Sequence, residues 1–265
     1  MSAPDHSFDL ADRHALVTGA GRGIGRATAL CLAGRGAALT LVARSEAELL
    51  EVQVECLELG APSVSCEVVD LLDREALDEL AGTVAAGADV LVNNAGSAPS
   101  AALERTDDDL FDATLDLNLF APFALSRAAL PAMAERGWGR IVNVASTAAR
   151  EGYAYTSAYV ASKHALLGLT RALTAEASMR WREADLTINA VCPGFVDTDI
   201  VARSAERIAE STGVDSQTAK ARLAAMNAGG RLLSPEEVAE AIGTLVCEQP
   251  GQTHGAAWEF AAADA

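Results

Sequence analysis

His14-Ala15-Leu16-Val17-Thr18-Gly19-Ala20-Gly21-Arg22-Gly23-Ile24-Gly25-Arg26-Ala27-Thr28 is the stretch from which the fold can be read. A short apolar run gives way to four glycines in seven positions, and then to helix-forming residues. Glycine permits positive φ in a tight turn and lets the backbone approach a pyrophosphate closely. A helix that opens directly behind the turn presents free N–H groups and partial positive charge to an anion. The last glycine arrives one residue later than in the G-x-G-x-x-G spacing, so position after a first strand carries the assignment. Gly19, Gly21, Arg22, Gly23, Ile24 and Gly25 are the expected phosphate-binding residues.

Outward from this turn the same pattern recurs. Short apolar runs at His14–Thr18, Ala38–Ala43, Val64–Val69, Val90–Val92, Arg140–Ala145 and Leu186–Val191 alternate with longer amphipathic segments. Those segments, Gly23–Gly34, Glu46–Leu59, Asp73–Ala85, Asp107–Glu135 and Ser157–Met179, read as helices, followed by a helix at Pro235–Cys247 and a strand at Gly255–Phe260. Near-continuous apolar strands separated by helices indicate a parallel sheet covered on both faces. Right-handed crossovers then give a doubly wound α/β fold of about seven strands. The whole chain, 1–265, reads as one domain, with residues 197–230 as an Ala-, Arg- and Glu-rich insertion over the sheet's carboxyl edge, a candidate substrate lid.

Composition narrows the function. Half of the 265 residues are apolar and 22% are charged, enough to bury a large core. Twenty Lys+Arg against 37 Asp+Glu leave a net charge of −17, which disfavours nucleic-acid backbones and anionic membrane surfaces. Five cysteines without a C-x-x-C, and four scattered histidines, point to reduced thiols and no structural metal. The first residues carry no apolar signal region, and no apolar run is long enough to span a bilayer. A cytoplasmic protein is expected.

The end of the second strand bears on cofactor choice. A site selective for NAD places a carboxylate there to accept from the ribose 2′-OH. This chain instead reads Leu41-Val42-Ala43-Arg44-Ser45. Arg44, with Arg22 from the turn, offers guanidinium groups to a 2′-phosphate, so NADP(H) is expected over NAD(H).

The fifth strand runs into Ser146, Tyr159 follows thirteen residues later, and Lys163 lies four beyond that. At i,i+4 the tyrosine and lysine share one helix face. The chain holds only two lysines, Lys163 and Lys220, against eighteen arginines, so a lysine in this apolar helix stands out. An ammonium at ~4 Å in an effective dielectric of about 20 contributes roughly 4 kcal/mol. That bias is expected to lower the phenol of Tyr159 from near 10 to about 7, the useful range for a general acid/base. Ser146 is expected to hold the substrate oxygen beside it.

Thr18–Gly25, Asn93-Asn94-Ala95-Gly96, Ser146, Tyr159-x-x-x-Lys163 and Pro193-Gly194 stand in an order that resembles the short-chain dehydrogenase/reductase family in its compact form. The resemblance covers about Leu10 to Phe260. It implies a single Rossmann-type domain and hydride transfer between nicotinamide and a ketone or secondary alcohol. Tyr159 is then the acid/base, Lys163 a ligand of the nicotinamide ribose, and Asn118 the helix asparagine that holds a relay water. Asp70 and Leu71 match the adenine contact after strand three. Asn94, Ala95 and Gly96 match the run beside the adenosine ribose. Pro193, Gly194, Val196 and Thr198 match positions facing the carboxamide, and Ser45 follows Arg44 at the ribose end.

Within the family the chain looks most like 3-oxoacyl thioester and polyketide ketoreductases, with hydroxyacyl and 3-hydroxybutyrate-type dehydrogenases next. An acyl carrier protein is a candidate partner through Arg136, Arg140, Arg180 and Arg182, although both proteins are acidic. Helices Asp107–Glu135 and Ser157–Met179 form the dimer faces of the family, implying a homodimer or homotetramer. Thr253-His254-Gly255 and Glu259-Phe260-Ala261-Ala262 depart from the family's usual ending. The alternatives are an NAD(H)-linked secondary-alcohol or hydroxyacyl dehydrogenase and, in another class, a non-catalytic NADP(H) sensor or scaffold.

Overall fold

The computed structural model describes residues 10–247 and 254–260. Among these residues seven strands form one sheet: β1 His14–Thr18, β2 Ala38–Ala43, β3 Val64–Val68, β4 Val90–Asn93, β5 Trp138–Val144, β6 Asp185–Pro193 and β7 Ala257–Phe260. Their order is β3-β2-β1-β4-β5-β6-β7, and every neighbouring pair is parallel. The chain reverses its direction of travel across the sheet between β1 and β4. That switch point opens a crevice at the strands' carboxyl ends, where ligands bind in such sheets.

Period-two alternation divides the core into two layers. Val17, Leu39, Leu41 and Val92 pack on one face beneath helices α1 (Gly23–Ala33), α2 (Glu46–Glu58) and α9 (Pro235–Cys247). Leu16, Leu91, Ile141 and Ile188 pack on the other beneath α3 (Arg74–Thr83) and α5 (Ala121–Arg136). Side chains buried this fully contribute about 1.5–3 kcal/mol each. Helix starts are set by short polar residues: Asp73 Oδ1 accepts from the N–H groups of Glu75 and Ala76 at 3.0 and 3.2 Å, and Ser45 Oγ from that of Glu48 at 3.4 Å.

The segment expected as one helix, Asp107–Glu135, is not continuous. It comprises α4 (Asp108–Leu115), a π turn at Asp116–Phe120, and α5. Pro122 has no N–H to donate to the carbonyl of Asn118, so the regular ladder cannot pass that point and the turn widens. Residues 197–230 fold as α7 (Asp199–Thr212) and α8 (Ser216–Ala224), after the long helix α6 (Ser157–Arg180) and β6. Cys31, Cys56, Cys66 and Cys192 carry free thiols. Thr253, Ala261 and Ala262 of the divergent ending lie outside the described residues.

Candidate active site

The glycine turn joins β1 to α1 at the crevice. Gly19 and Gly23 adopt φ of 65° and 55°, values that side chains with a Cβ rarely tolerate. A Cβ on Gly25 would lie 2.1 Å from the carbonyl oxygen of Gly19, a backbone atom that cannot move aside. Two hydrogen bonds at 3.0 Å, from the N–H groups of Asn94 and Ala95 to Thr18 Oγ1, tie the turn to the end of β4. Asn94 Nδ2 donates in return to the carbonyls of Thr18 and Gly19 at 2.8 and 3.2 Å. The N-cap residue of α1, Arg22, makes no side-chain capping hydrogen bond. Its first N–H groups therefore remain available to an anion, in a turn where added carbon would fill the approach.

A cleft of about 760 Å³ runs past this turn, lined by Gly19, Gly21, Arg22, Gly23, Ile24, Arg44, Ser45, Asp70, Leu71, Asn94, Ala95 and Gly96. Gly25 lies behind it and sets the closeness of the turn. The cleft fits a dinucleotide, with a pyrophosphate at the turn and an adenosine end between β2 and β3. Both arginines expected there are in place, and both meet carboxylates. Arg44 faces Asp70 at 3.8 Å, while Arg22 contacts Glu48 and Asp199 at 3.3 Å each. These exposed pairs are individually weak. Glu48, Asp199 and Arg203 also line this cleft and carried no signal in the sequence, because two of them arrive on α7 from the far half of the chain.

A second cleft, of about 950 Å³, adjoins the first and shares Ile24, Asn94, Gly96, Thr198 and Ile200 with it. Ser146, Tyr159 and Lys163 line it together. Tyr159 and Lys163 do lie one turn apart on α6, with Nζ 5.9 Å from the centre of the tyrosine ring. Lys163 is 5% exposed, and Nζ donates to the carbonyl of Val144 at 2.7 Å. Asn118, in the π turn, accepts from the Ser97 N–H and donates to the Ser97 carbonyl, both at 2.9 Å, and donates to Ser162 Oγ at 3.0 Å. A Cβ on Gly96 would sit 3.0 Å from Asn118 Oδ1 and 3.7 Å from Lys163 Nζ, so both groups lie against the floor between the clefts.

The electrostatics differ from the expectation of an acidic phenol. Burial pushes Tyr159 above its usual value of 10, and the hydrogen bond with Ser146 opposes that rise without reversing it. Burial also brings Lys163 down from 10.5 to about 8. The ammonium donates to the Val144 carbonyl, and the phenol is shifted by its burial, Ser146, Tyr153 and Cys192. Proximity along the helix was legible in the spacing; desolvation was not.

Pro193, Gly194, Val196 and Thr198 continue from β6 along the same cleft wall. Asn227, which the sequence did not suggest, holds this wall: its Oδ1 accepts from the Phe195 N–H and its Nδ2 donates to the Phe195 carbonyl, both at 2.8 Å. A Cβ on Gly194 would fall 2.3 Å from that Oδ1. Lys220 does not reach the cleft and pairs with Asp197 at 2.7 Å. Three of the four arginines considered as a basic patch, all but Arg182, are otherwise engaged. Arg140 is buried against Asp185 and the Trp138 ring, Arg136 contacts Asp89, and Arg180 contacts Glu176. Among the described residues, no helix is long and apolar enough to cross a membrane.

Comparison with known proteins agrees with this geometry. Residues 13–209 match the profile of the short chain dehydrogenases. The chain is 34% identical to a D-beta-hydroxybutyrate dehydrogenase of Cupriavidus necator over 93% of its own length and 95% of the relative's. It is 32% identical to the 3-oxoacyl-[acyl-carrier-protein] reductase of Salmonella typhimurium, over 91% and 92% of the two chains. A variant of the actinorhodin polyketide ketoreductase, solved with NADPH, superimposes with a TM-score of 0.85 at 35% identity, covering 94% of this chain and 95% of that one. With a matching profile across most of its length and relatives aligned nearly end to end, the chain belongs to the short-chain dehydrogenase family of oxidoreductases.

Proposed function

We propose that this chain is an NADP(H)-dependent ketone reductase or secondary-alcohol dehydrogenase acting on a 3-oxoacyl thioester or polyketide-type ketone. The observation that carries the reading is the junction of two clefts. One holds the glycine turn and Arg44, the other holds Ser146, Tyr159 and Lys163, and Asn94 and Gly96 belong to both. A nicotinamide dinucleotide bound in the first cleft supplies or accepts the hydride. Relatives of known structure that carry NADPH support the phosphorylated form.

The residues of this chain divide the remaining work. The turn Gly19–Gly25 and the open N-terminus of α1 hold the pyrophosphate, while Arg22 and Arg44 meet the 2′-phosphate. Asp70 and Leu71 stand at the adenine, with Ser45 beside Arg44. Pro193, Gly194, Val196 and Thr198 line the carboxamide end. Ser146 orients the substrate oxygen, and Tyr159 donates a proton to that oxygen in reduction or withdraws one in oxidation. Burial holds the phenol above its usual range and so favours its protonated form, the proton donor of the reductive direction. Lys163 presents its ammonium near the floor of both clefts, and Asn118 fixes the Ser97 backbone there. The α7–α8 segment acts as the lid, and the functional unit is a homo-oligomer built on the α5 and α6 faces.

The test is NADPH oxidation across a panel of β-keto thioesters, cyclic ketones and diketones. Turnover of at least one class supports the reductase. Tight NADPH binding with turnover of none supports the sensor instead, a reading that the joint presence of Ser146, Tyr159, Lys163 and Asn118 disfavours.

A further inference from the structure

The wall of the substrate cleft is charged in one sense only. Besides Lys163, the basic residues among its described lining are Arg105, on the turn after β4, and Arg207, on α7. Among the described residues no Asp or Glu lines it, in a chain whose net charge is −17. Neither guanidinium makes a hydrogen bond, ion pair or ring contact with another described residue. Most other arginines here do, including Arg22, Arg26, Arg35, Arg74 and Arg140. Two guanidinium groups left unpaired on one cleft of an acidic protein form a local positive field that an anion entering the cleft would meet.

The remaining surface of the cleft is apolar. Tyr153 and Phe195 meet edge to face at 6.1 Å, and Tyr155 and Met226, 67% and 56% exposed, leave large apolar groups uncovered at the same cavity. Such a wall suits an apolar or aromatic body. We infer that the substrate is an anionic ketone: an apolar body carries the carbonyl to Ser146 and Tyr159, and a carboxylate or phosphate elsewhere on the molecule is held by Arg105 and Arg207. The inference rests on the reductase reading and specifies its substrate class. Guanidinium groups bind either oxyanion through paired N–H donors, so the shared chemistry is the anion.

Two matched pairs of ketones distinguish the sources. The first is 4-(4-oxocyclohexyl)benzoate and its methyl ester; the second is acetoacetyl-pantetheine with and without its 4′-phosphate. Each is measured as kcat/KM with saturating NADPH, and as equilibrium binding to the NADPH-loaded Tyr159→Phe protein by calorimetry. The charged member of at least one pair is expected to exceed its neutral partner by about tenfold, which is about 1.4 kcal/mol. The advantage should shrink between 20 and 200 mM salt, as for any exposed charge. It should vanish in the Arg105→Gln/Arg207→Gln double variant and persist in Arg171→Gln/Arg182→Gln, which removes equal charge from residues that line neither cleft. An advantage in the first pair assigns a carboxylate, and one in the second a phosphate. Ratios near one in both pairs, or a ratio that survives the double substitution, overturn the inference. Binding that discriminates without turnover of any ketone leaves the anion site standing and removes the reductase reading.

Discussion

Lys163 Nζ donates to the main-chain carbonyl of Val144 at 2.7 Å, joining α6 to the end of β5 beneath the substrate cleft. This bond fixes the lysine's position but leaves the ammonium buried with no carboxylate partner among the described residues. Its pKa of about 8 follows from that burial.

The pH dependence of stability should report this group. Between pH 8 and 10.5 the unfolded chain retains a proton on Lys163 that the folded chain has released, so stability rises with pH across that window. The shift corresponds to about 3 kcal/mol. Urea unfolding at pH 7.5 and 10.5 should show the wild type gaining about that much on Lys163→Met. A difference between the two proteins that stays constant with pH would place the lysine in solvent.

Gly25→Ala should damage the turn more than a helix propensity scale suggests. Alanine normally favours a helix over glycine. Here its Cβ would press against the Gly19 carbonyl at 2.1 Å and Asn94 Nδ2 at 2.5 Å. A loss of about 3 kcal/mol is expected from the overpacking, read by urea unfolding together with weaker NADPH binding. A neutral or stabilising result would mean that the turn is looser than described.

Selectivity for the phosphorylated cofactor should depend on the balance of charge at the adenosine end. Arg44→Asp is expected to raise the KM for NADPH relative to NADH by tenfold or more. Glu48→Gln should act in the opposite sense, lowering the NADPH KM severalfold, because it releases Arg22 from a carboxylate 3.3 Å away. Steady-state kinetics with both cofactors decides; unchanged ratios in both variants would remove the 2′-phosphate from this end of the cleft.

Much of this was readable from the sequence, for reasons that differ by element. β1 and β2 match their expected limits because a strand buried on both faces is nearly all apolar and ends where the glycines or Arg44 begin. Lys163 was conspicuous because the chain otherwise uses arginine. The π turn around Asn118 was not foreseen, since its cause, Pro122, sits in a segment whose periodicity remains helical. Asn227 was also missed: it follows Gly194 by 33 residues, outside any motif, and only the folded chain brings its amide against Phe195. The acidity of Tyr159 depends on desolvation and on Ser146, neither of which i,i+4 spacing encodes.

The most direct measurement is made on Tyr159→Phe, by NADPH binding from fluorescence and by single-turnover NADPH oxidation with a ketone that the wild type reduces. The phenol is in the substrate cleft and the glycine turn is in the other, so the Kd for NADPH should stay within about twofold. The oxidation rate should fall by roughly 10²–10⁴-fold, the range for a lost proton donor. A variant that oxidises NADPH at near the wild-type rate would show that the proton reaches the substrate from another group.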